Sequence, residues 1–288
     1  MPGTTVLAAS QTGLAPNLAD ALGADLVTGN VRTFPDGESK VTLSGAPADR
    51  CIVVQSTHPP VDTNLLRALL LVSEAAGRAQ SVVAVVPYMG YARQDREFLP
   101  GEVVTLKHVA RLFAGAGADR LVTVDMHSMK GLEYFGDMGR NVSAVPDLAT
   151  HFAGMDLTDP LAVSPDMGGR ERARLFAESM GTGWLALEKE RDRTTGEVSI
   201  RSDGADVTGR DVILVDDMIS TGGSIVSAAG FLRGCGCGRV FAACTHALMV
   251  GDAAARLAGA GVEGVVAANT VPGPASVVDV SRAVAGAL

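Results

Sequence analysis

Short apolar runs without polar alternation recur along this 288-residue chain, and stretches with helical periodicity separate them. The runs cover residues 51–55, 82–86, 121–124, 161–163, 212–215, 239–244 and 264–267. Such runs are typical of parallel strands that are buried on both faces. The intervening segments 64–77 and 103–115 carry apolar residues at helical spacing and end at glycine. The pattern predicts repeated strand–helix–strand units, and therefore an α/β fold with mainly parallel sheets flanked by helices.

Two pairs of segments in the chain are similar to each other. VVPYMGYAR at 85–93 is similar to AVSPDMGGR at 162–170, and LVTVDMHS at 121–128 is similar to VILVDDMIS at 212–220. The first pair is offset by 78 residues (165 minus 87) and the second by 91 (216 minus 125), so 13 extra residues lie in the second copy. We therefore predict two tandem domains, 1–145 and 146–288, with the last helix as a candidate to pack on the first domain.

The extra residues of the second copy coincide with the charged stretch EKERDRTTGE at 188–197. A stretch of this composition predicts a hairpin tip or a mobile loop at the surface. The domain boundary is expected near residues 143–147, before a helix that begins with proline.

The bulk composition excludes several classes of partner. The net charge of −8 argues against nucleic acid, because nucleic-acid binding depends on lysine and arginine neutralising phosphates. No apolar run approaches the roughly 20 residues that cross a bilayer, and the first residues lack a basic segment before an apolar stretch. We therefore expect no membrane association and a cytoplasmic location.

The four cysteines do not form a recognisable metal motif. Cys235 and Cys237 are close in sequence, but Cys51 and Cys244 do not supply a second pair, and no nearby histidine completes a zinc site. We expect buried or incidental thiols.

The segment VILVDDMISTGGS at 212–224 combines two chemical functions. An apolar strand leads to Asp216 and Asp217, and a run of hydroxyls and glycines follows where a helix should begin. Helix-start amides bind phosphate, and ligands of open α/β sheets collect at the carboxyl ends of strands. The two carboxylates would repel a phosphate, so their expected partners are sugar hydroxyls or a divalent cation. Either half alone is common as a turn or cap, but the two in this order predict a site for a phosphorylated sugar.

Six motifs in the chain have the order found in one enzyme family. They are FPDGE at 34–38, PYMGYARQDR at 87–96, VDMHS at 124–128, SPDMGG at 164–169, EKER at 188–191 and VDDMISTGGS at 215–224. Together they resemble ribose-phosphate diphosphokinases, also called phosphoribosyl pyrophosphate synthetases. The segment REFLPGEVVT after ARQD lacks an arginine-rich flag, which is similar to the shorter archaeal-like branch. The resemblance implies two tandem type I phosphoribosyltransferase-like domains.

The resemblance also implies a reaction for nucleotide biosynthesis. The diphosphoryl group of ATP would pass to the 1-hydroxyl of ribose 5-phosphate, giving phosphoribosyl pyrophosphate and AMP, with Mg²⁺ as cofactor. The loop that carries FPDGE would reach the active site of a neighbouring subunit, which implies a homo-oligomer, a dimer or higher.

The resemblance assigns roles to particular residues. The ATP-binding residues are Phe34, Asp36, Gly37, Glu38, Arg93 and Gln94. The ribose 5-phosphate-binding residues are Arg191, Asp216, Asp217, Ser220, Thr221, Gly222, Gly223 and Ser224. The catalytic residues are Lys189 and Arg191, and the metal-associated residues are His127 and Asp166.

These residue types suit the chemistry. The planar guanidinium of Arg93 suits phosphate and also stacks on a base. Two cations at 189 and 191 would stabilise the charge that develops during diphosphoryl transfer, although a solvated hairpin is the alternative interpretation of the same stretch. Imidazole is an uncommon magnesium ligand, so contact with the nucleotide phosphates is the alternative role of His127.

Some positions depart from the family pattern. Ser220 stands where many members carry aspartate, and Ser224 stands where many carry threonine. Arg170 and Arg172, directly after SPDMGG, are less usual and are expected to add local positive charge.

Two other functions use the same motifs. A phosphoribosyltransferase would use the loop at 220–224 with a base, but it leaves the N-terminal repeat and EKER unexplained. A non-catalytic regulatory paralogue that associates with a synthetase is the second alternative, and the presence of Lys189 and Arg191 argues against it.

Overall fold

The computed structural model describes residues 3–9, 13–191, 198–201 and 206–288. The chain forms two compact units. Unit 1 comprises Met1–Ser143, Asn269–Pro272 and Asp279–Leu288, and unit 2 comprises Ala144–Ala268 and Gly273–Val278.

Unit 1 is built around a seven-stranded sheet in its described part. Its strands are β1 (Thr4–Ala8), β2 (Asp25–Thr33), β3 (Ser39–Leu43), β4 (Arg50–Val54), β5 (Ser81–Val85), β6 (Arg120–Val124) and β7 (Gly139–Val142). Its helices before the boundary are α1 (Leu14–Leu22), α2 (Val61–Ala76), α3 (Thr105–Gly115) and the short α4 (Met129–Leu132), which a 3₁₀ turn (Glu133–Met138) follows.

The strand order in unit 1 is β3-β2-β1-β4-β5-β6-β7. All neighbours are parallel except β2 and β3, which form an antiparallel hairpin at one edge. Strands β4, β5 and β6 are buried over four of their five residues, as expected for parallel strands with helices on both faces. The edge strand β3 instead alternates between half-buried and exposed residues.

Unit 2 contains a six-stranded parallel sheet and a separate two-stranded sheet in its described part. Its strands are β8 (Leu161–Ser164), β9 (Gly183–Ala186), β10 (Glu188–Arg191), β11 (Val198–Arg201), β12 (Val212–Ile219), β13 (Val240–Ala247), β14 (Val262–Ala268) and β15 (Ser276–Val278). Its helices are α5 (Val145–Ala153), α6 (Arg170–Met180), α7 (Gly223–Gly234) and α8 (Ala253–Gly259), with a 3₁₀ turn (Met167–Gly169) before α6. The six-stranded order is β15-β14-β13-β12-β8-β9.

The core of unit 2 lies between this sheet and its helices. Phe152 on α5 packs edge-on against Phe176 on α6 at 5.8 Å and against Phe241 on β13 at 6.3 Å between ring centroids. Such aromatic pairs contribute about 0.5–1.5 kcal/mol beyond the burial of their area. Helix α5 carries Pro146 in its first turn, where the missing amide proton costs nothing, as the sequence predicts.

The last helix, α9 (Ser281–Ala285), belongs to unit 1 although it follows unit 2 in the chain. It contacts α1. Arg50 Nη2 donates a hydrogen bond of 3.0 Å to the backbone oxygen of Leu288, the last residue.

The predicted apolar strands are all present with shifted ends. The stretch 188–197 was predicted as a hairpin tip or a mobile loop, but residues 188–191 form β10, which pairs antiparallel with β11. Residues 192–197 lie outside the described residues. One prediction was wrong in its bounds. We expected the strand that precedes the acid pair to end at Val215, but β12 continues to Ile219. Its pairing with β8 ends at Leu214, whereas its pairing with β13 runs on to Ala247.

All four cysteines are free thiols. Cys51 and Cys244 are fully buried, Cys235 is exposed and Cys237 is half-buried. Over the ranges that the structure describes, no three side chains of the metal-binding types gather into a cluster. Each helix in those ranges is too short or too polar to cross a membrane.

Candidate functional site

The sheet of unit 2 changes its direction of winding between β8 and β12. After β8 the chain first forms β9, which is next to β8 on one side, and then forms β12, which is next to β8 on the other side. Ligands of open α/β sheets bind in the crevice that such a switch leaves at the carboxyl ends of the strands. Asp166 follows β8 and Asp216 lies beyond the end of the β8–β12 pairing, so both predicted residues lie at this crevice.

The acid pair of the crevice is partly shielded from water. Asp217 is 5% exposed, and its amide donates a hydrogen bond of 2.8 Å to Asp216 Oδ1. The pKa of Asp216 is raised to about 7, chiefly by burial and then by the adjacent charge of Asp217. Arg172 on α6 opposes this rise, because its Nη1 lies 3.2 Å from Asp216 Oδ1 and 3.7 Å from Asp217 Oδ1. The positive charge expected of Arg172 is therefore located at the acid pair.

The loop between β12 and α7 has the shape of an anion cradle. Gly222 has a φ of 76°, and a Cβ added there would lie 3.3 Å from Leu257 Cγ, so glycine is required by conformation and by space. Helix α7 begins at Gly223 with no side chain capping its first-turn amides. Uncapped amides at a helix start, together with the helix dipole, form a site that favours a phosphate.

The backbone carbonyls of this loop accept hydrogen bonds from the segment after β13 and from α8. The amides of Met249 and Val250 donate to the oxygens of Ile219 and Ser220, each at 3.0 Å. Arg256 Nη1 on α8 donates to the oxygen of Thr221 at 3.1 Å. Because these carbonyls are engaged, the loop has a fixed orientation, which is the preorganisation that an anion site needs.

Asp166 has a structural contact in addition to its predicted metal role. Its Oδ1 accepts hydrogen bonds from the amides of Gly168 at 2.9 Å and Gly169 at 3.3 Å, which caps the 3₁₀ turn before α6. The backbone oxygen of Asp166 accepts a hydrogen bond of 2.6 Å from Ser164 Oγ. The carboxylate is therefore held in one orientation at the edge of the crevice.

In unit 1, the predicted adenine loop forms the tip of the β2–β3 hairpin. The amide of Gly37 donates to the oxygen of Phe34 at 2.9 Å, and the amide of Phe34 donates to the oxygen of Glu38 at 2.8 Å. Asp36 Oδ1 accepts from the amide of Glu38 at 3.2 Å, and Gly37 has a φ of 93°. The guanidinium of Arg32 lies 5.2 Å from the centre of the Phe34 ring. Asp36 and Glu38 at the tip are exposed, so they are not part of the core of unit 1.

Two further loops of unit 1 follow the neighbouring parallel strands β5 and β6. Arg93 and Gln94 lie in the first loop and His127 lies in the second, and Arg93, Gln94 and His127 are exposed. The loops are linked through Asp95, because Ser128 Oγ donates a hydrogen bond to Asp95 Oδ2. The structure thus brings these predicted residues to the same edge of the sheet.

The first of these loops is also anchored to α3 and to the 3₁₀ turn Glu133–Met138. Thr105 Oγ1 donates a hydrogen bond to Gln94 Oε1, and the amide of Leu106 donates to the oxygen of Gln94 at 3.3 Å. The hydroxyl of Tyr134 donates to the oxygen of Asp95 at 2.9 Å. The side chain of Gln94 is therefore placed by a contact within the unit.

The predicted residues of unit 1 form two groups rather than one. In the sheet order, β1 and β4 lie between β2, which leads to Phe34, and β5, which leads to Arg93. At a strand spacing of about 4.8 Å, the two loops start roughly 14 Å apart along the sheet edge.

The predicted catalytic residues, Lys189 and Arg191, lie in β10 of unit 2, where they pair with Ile200 and Val198 of β11. Their side chains lie outside the part of the chain that the structure describes. Sequence reasoning missed the contacts of Arg172 and Asp95. Both residues are inside or beside the quoted motifs, so their position was a usable signal, but their partners are distant in sequence.

Comparison with known proteins gives a consistent family. The model of the N-terminal domain of ribose phosphate pyrophosphokinase matches residues 5–117, and the model of the phosphoribosyl synthetase-associated domain matches residues 198–285. The ribose-phosphate pyrophosphokinase of Methanopyrus kandleri is 44% identical over 289 residues, which cover 98% of each chain. That of Methanothermobacter thermautotrophicus is 38% identical, over 94% of this chain and 95% of its own.

The solved structure of phosphoribosylpyrophosphate synthetase from Mycobacterium smegmatis has the same fold. It superposes with a TM-score of 0.83 at 30% identity, and the match covers 99% of this chain and 97% of that one. The predicted fold class of two tandem phosphoribosyltransferase-like domains is thereby confirmed, as is the prediction of a transferase of nucleotide biosynthesis. The chain therefore belongs to the ribose-phosphate pyrophosphokinase family.

Proposed function

We propose that the protein transfers the diphosphoryl group of ATP to the 1-hydroxyl of ribose 5-phosphate and releases phosphoribosyl pyrophosphate and AMP. The observation that carries this proposal is the crevice of unit 2, where a partly buried acid pair lies beside an uncapped helix start. A sugar phosphate is the ligand that needs both a phosphate cradle and acceptors for hydroxyl groups. A cytoplasmic location is part of the proposal.

In unit 2, the 5-phosphate binds to the loop that leads into α7. The amides and hydroxyls of residues 220–224 donate hydrogen bonds to its oxygens, and the αL conformation of Gly222 allows close approach of the backbone. Asp216 and Asp217 accept hydrogen bonds from the ribose hydroxyls. The acids and the cradle thus orient the sugar by its two ends, which positions its 1-hydroxyl for attack.

In the transfer, the oxygen of the 1-hydroxyl forms a bond to the β-phosphorus of ATP. The bond from that phosphorus to the oxygen shared with the α-phosphate breaks, so AMP leaves, and the proton of the 1-hydroxyl is released to water. Negative charge builds on the phosphoryl oxygens during this exchange, and Lys189 and Arg191 are proposed to stabilise it. Their place in the two-stranded sheet of β10 and β11 supports this role, since both cations then lie on the same strand.

In unit 1, Arg93 and Gln94 are proposed to bind the nucleotide, with His127 on the neighbouring loop directed at its phosphates or at the metal. Phe34, Asp36, Gly37 and Glu38 are proposed to recognise adenine. The separation of roughly 14 Å along the sheet edge between the hairpin and the loop after β5 supports an arrangement in which the hairpin serves a second copy of the chain. We therefore propose a homo-oligomer, at least a dimer.

The residues fit magnesium as the metal of this reaction. Mg²⁺ keeps several waters and is usually held by one or two carboxylates together with substrate phosphates. Asp166 offers such a carboxylate, oriented by the amides of Gly168 and Gly169. The imidazole of His127 suits magnesium less well. When bound, the ion would neutralise charge on the nucleotide phosphates.

The proposal is tested by following ATP labelled at the γ-phosphorus with Mg²⁺ and ribose 5-phosphate. The label should appear in phosphoribosyl pyrophosphate while an equal amount of unlabelled AMP forms, and chelation of the metal should stop both. Reactions without ribose 5-phosphate serve as the control and should form no AMP. Stoichiometric ADP would contradict the proposal.

A second assay, with phosphoribosyl pyrophosphate as substrate, separates the alternatives. Release of pyrophosphate from phosphoribosyl pyrophosphate on addition of a nucleobase would identify a phosphoribosyltransferase. The absence of any turnover by the pure protein would identify a non-catalytic paralogue.

A further inference from the structure

A cation on a neighbouring helix contacts the acid pair of unit 2. Arg172 lies in the first turn of α6, and its Nη1 lies 3.2 Å from Asp216 Oδ1 and 3.7 Å from Asp217 Oδ1. The side chains of Arg172 and Asp216 are 22% and 21% exposed, and that of Asp217 is 7% exposed. Because all three are largely withdrawn from water, the ion pair is less screened than one at the surface.

The surroundings of Asp216 include groups that disfavour its charged form. Asp217 is adjacent on the same strand, and Cys244 lies opposite on β13. Burial and the charge of Asp217 raise the pKa of Asp216, and the charge of Arg172 lowers it. The thiol of Cys244 is fully buried, and its pKa is raised by that burial, so it supplies no charge at neutral pH.

The turn before α6 leaves space for this guanidinium. A Cβ added at Gly169 would lie 3.4 Å from Arg172 Nη1 and 2.5 Å from Ser164 Oγ. Ser164 Oγ in turn donates to the backbone oxygen of Asp166. A side chain at position 169 would therefore clash with Ser164 and would contact the guanidinium of Arg172.

We propose that Arg172 is a positioning residue of the sugar phosphate site, which by its charge and hydrogen bond holds Asp216 and Asp217 ready to accept the ribose hydroxyls. This inference rests on the proposed function. Arg172 acts through the acids and takes no part in the bonds that form and break. It also offsets one of two negative charges that would otherwise repel the dianionic phosphate of the substrate.

Loss of Arg172 should affect the binding of ribose 5-phosphate and not that of ATP. Loss of Arg172 weakens the binding of ribose 5-phosphate, because the acids lose a charged hydrogen-bond partner and the crevice becomes more negative. The binding of ATP is assigned to loops of unit 1 and is not affected directly. Lysine at this position retains the charge without the planar fork, so it restores part of the affinity.

The test compares the full-length wild type with Arg172→Gln, Arg172→Lys and Arg174→Gln. Arg174 is the matched control, since it is on the same helix but pairs with the exposed Glu171 and Glu178. Calorimetry with ribose 5-phosphate gives the dissociation constant, and steady-state kinetics gives the KM for each substrate. Arg172→Gln should weaken ribose 5-phosphate binding roughly tenfold or more, the size expected for losing a hydrogen bond to a charged group, with the KM for ATP within about twofold.

Two further readouts separate positioning from a general loss of structure. As the pH is lowered, Asp216 takes up a proton and the affinity for ribose 5-phosphate falls. In Arg172→Gln this fall should begin at a higher pH than in the wild type, because the cation that lowers the pKa of Asp216 is gone. Arg172→Lys should keep the wild-type pH dependence, and Arg174→Gln should match the wild type throughout. If Arg172→Gln does not fold, the affinity of Arg172→Lys for ribose 5-phosphate tests the positioning role in its place.

Different results would overturn the inference and the proposed function. Ribose 5-phosphate binding within twofold of wild type in Arg172→Gln, or an equal rise in the KM for both substrates, would overturn the inference. Failure of the wild type to bind ribose 5-phosphate and to form phosphoribosyl pyrophosphate would instead overturn the proposed function.

Discussion

Replacing Gly222 by alanine tests whether the phosphate loop is fixed by backbone conformation. Gly222 has a φ of 76°, a region in which an L-residue with a Cβ costs about 1–2 kcal/mol. The new methyl group would lie 3.3 Å from Cγ of Leu257, a side chain only 1% exposed. Alanine also reduces the entropy of the unfolded chain, which favours folding by about 0.4–1 kcal/mol. Strain and crowding exceed this gain, so we expect a net destabilisation of about 1–2 kcal/mol.

Gly223→Ala is the matched control for this variant. Gly223 is the next residue, starts α7 without a positive φ, and has no atom closer than 4.0 Å to an added Cβ. Scanning calorimetry of the unliganded full chain should show a midpoint lower by roughly 2–8 °C for Gly222→Ala and an unchanged or slightly higher midpoint for Gly223→Ala. Equal midpoints for Gly222→Ala and the wild type would refute the reasoning.

The remaining predictions concern catalysis, the loops of unit 1 and acid stability. Lys189→Ala should retain nucleotide binding but lose about 10²–10³ in turnover, and near-normal turnover would remove Lys189 from the mechanism. Asp95→Ala should raise the KM for ATP by up to about tenfold, because it removes the acceptor of the Ser128 hydrogen bond that links the two loops, and an unchanged KM in steady-state kinetics would contradict this prediction. Burial raises the pKa of Asp211, but hydrogen bonds from Arg239 and from backbone amides lower it, and the pKa is lowered overall from the usual 3.8. This contribution to stability is present above pH 3.8 and is lost as the pH falls through the folded-state value, so urea unfolding should show less acid sensitivity in Asp211→Asn than in the wild type.

The parts of the fold that the sequence predicts best are the buried parallel strands. Their runs are apolar on both faces, so a local pattern suffices to locate them. Strands β2 and β3 were not predicted, because they are half-exposed and carry polar residues among apolar ones. The end of β12 was misplaced for a different reason. Adjacent carboxylates indicate a strand end, yet the pairing with the long β13 continues past Asp216 and Asp217.

The candidate site was predictable where a motif carries its own chemistry. The hydroxyl and glycine run before α7 indicates a phosphate cradle from residue types alone. The contact of Arg172 with Asp216 spans 44 residues in sequence and depends on how α6 packs beside β12, so no local pattern reveals it. The same holds for Asp95 and Ser128, which are 33 residues apart. The roles of all the predicted site residues, Lys189 and Arg191 included, stay predictions.

The central claim is that ribose 5-phosphate binds where β12 leads into α7. A crystal structure of the full chain with ribose 5-phosphate tests it directly. We predict that the 5-phosphate lies within hydrogen-bonding distance of the amides of residues 220–224 and that the ribose hydroxyls contact Asp216. Electron density for the sugar phosphate at any other place, with this loop empty at saturating ligand, would contradict the account.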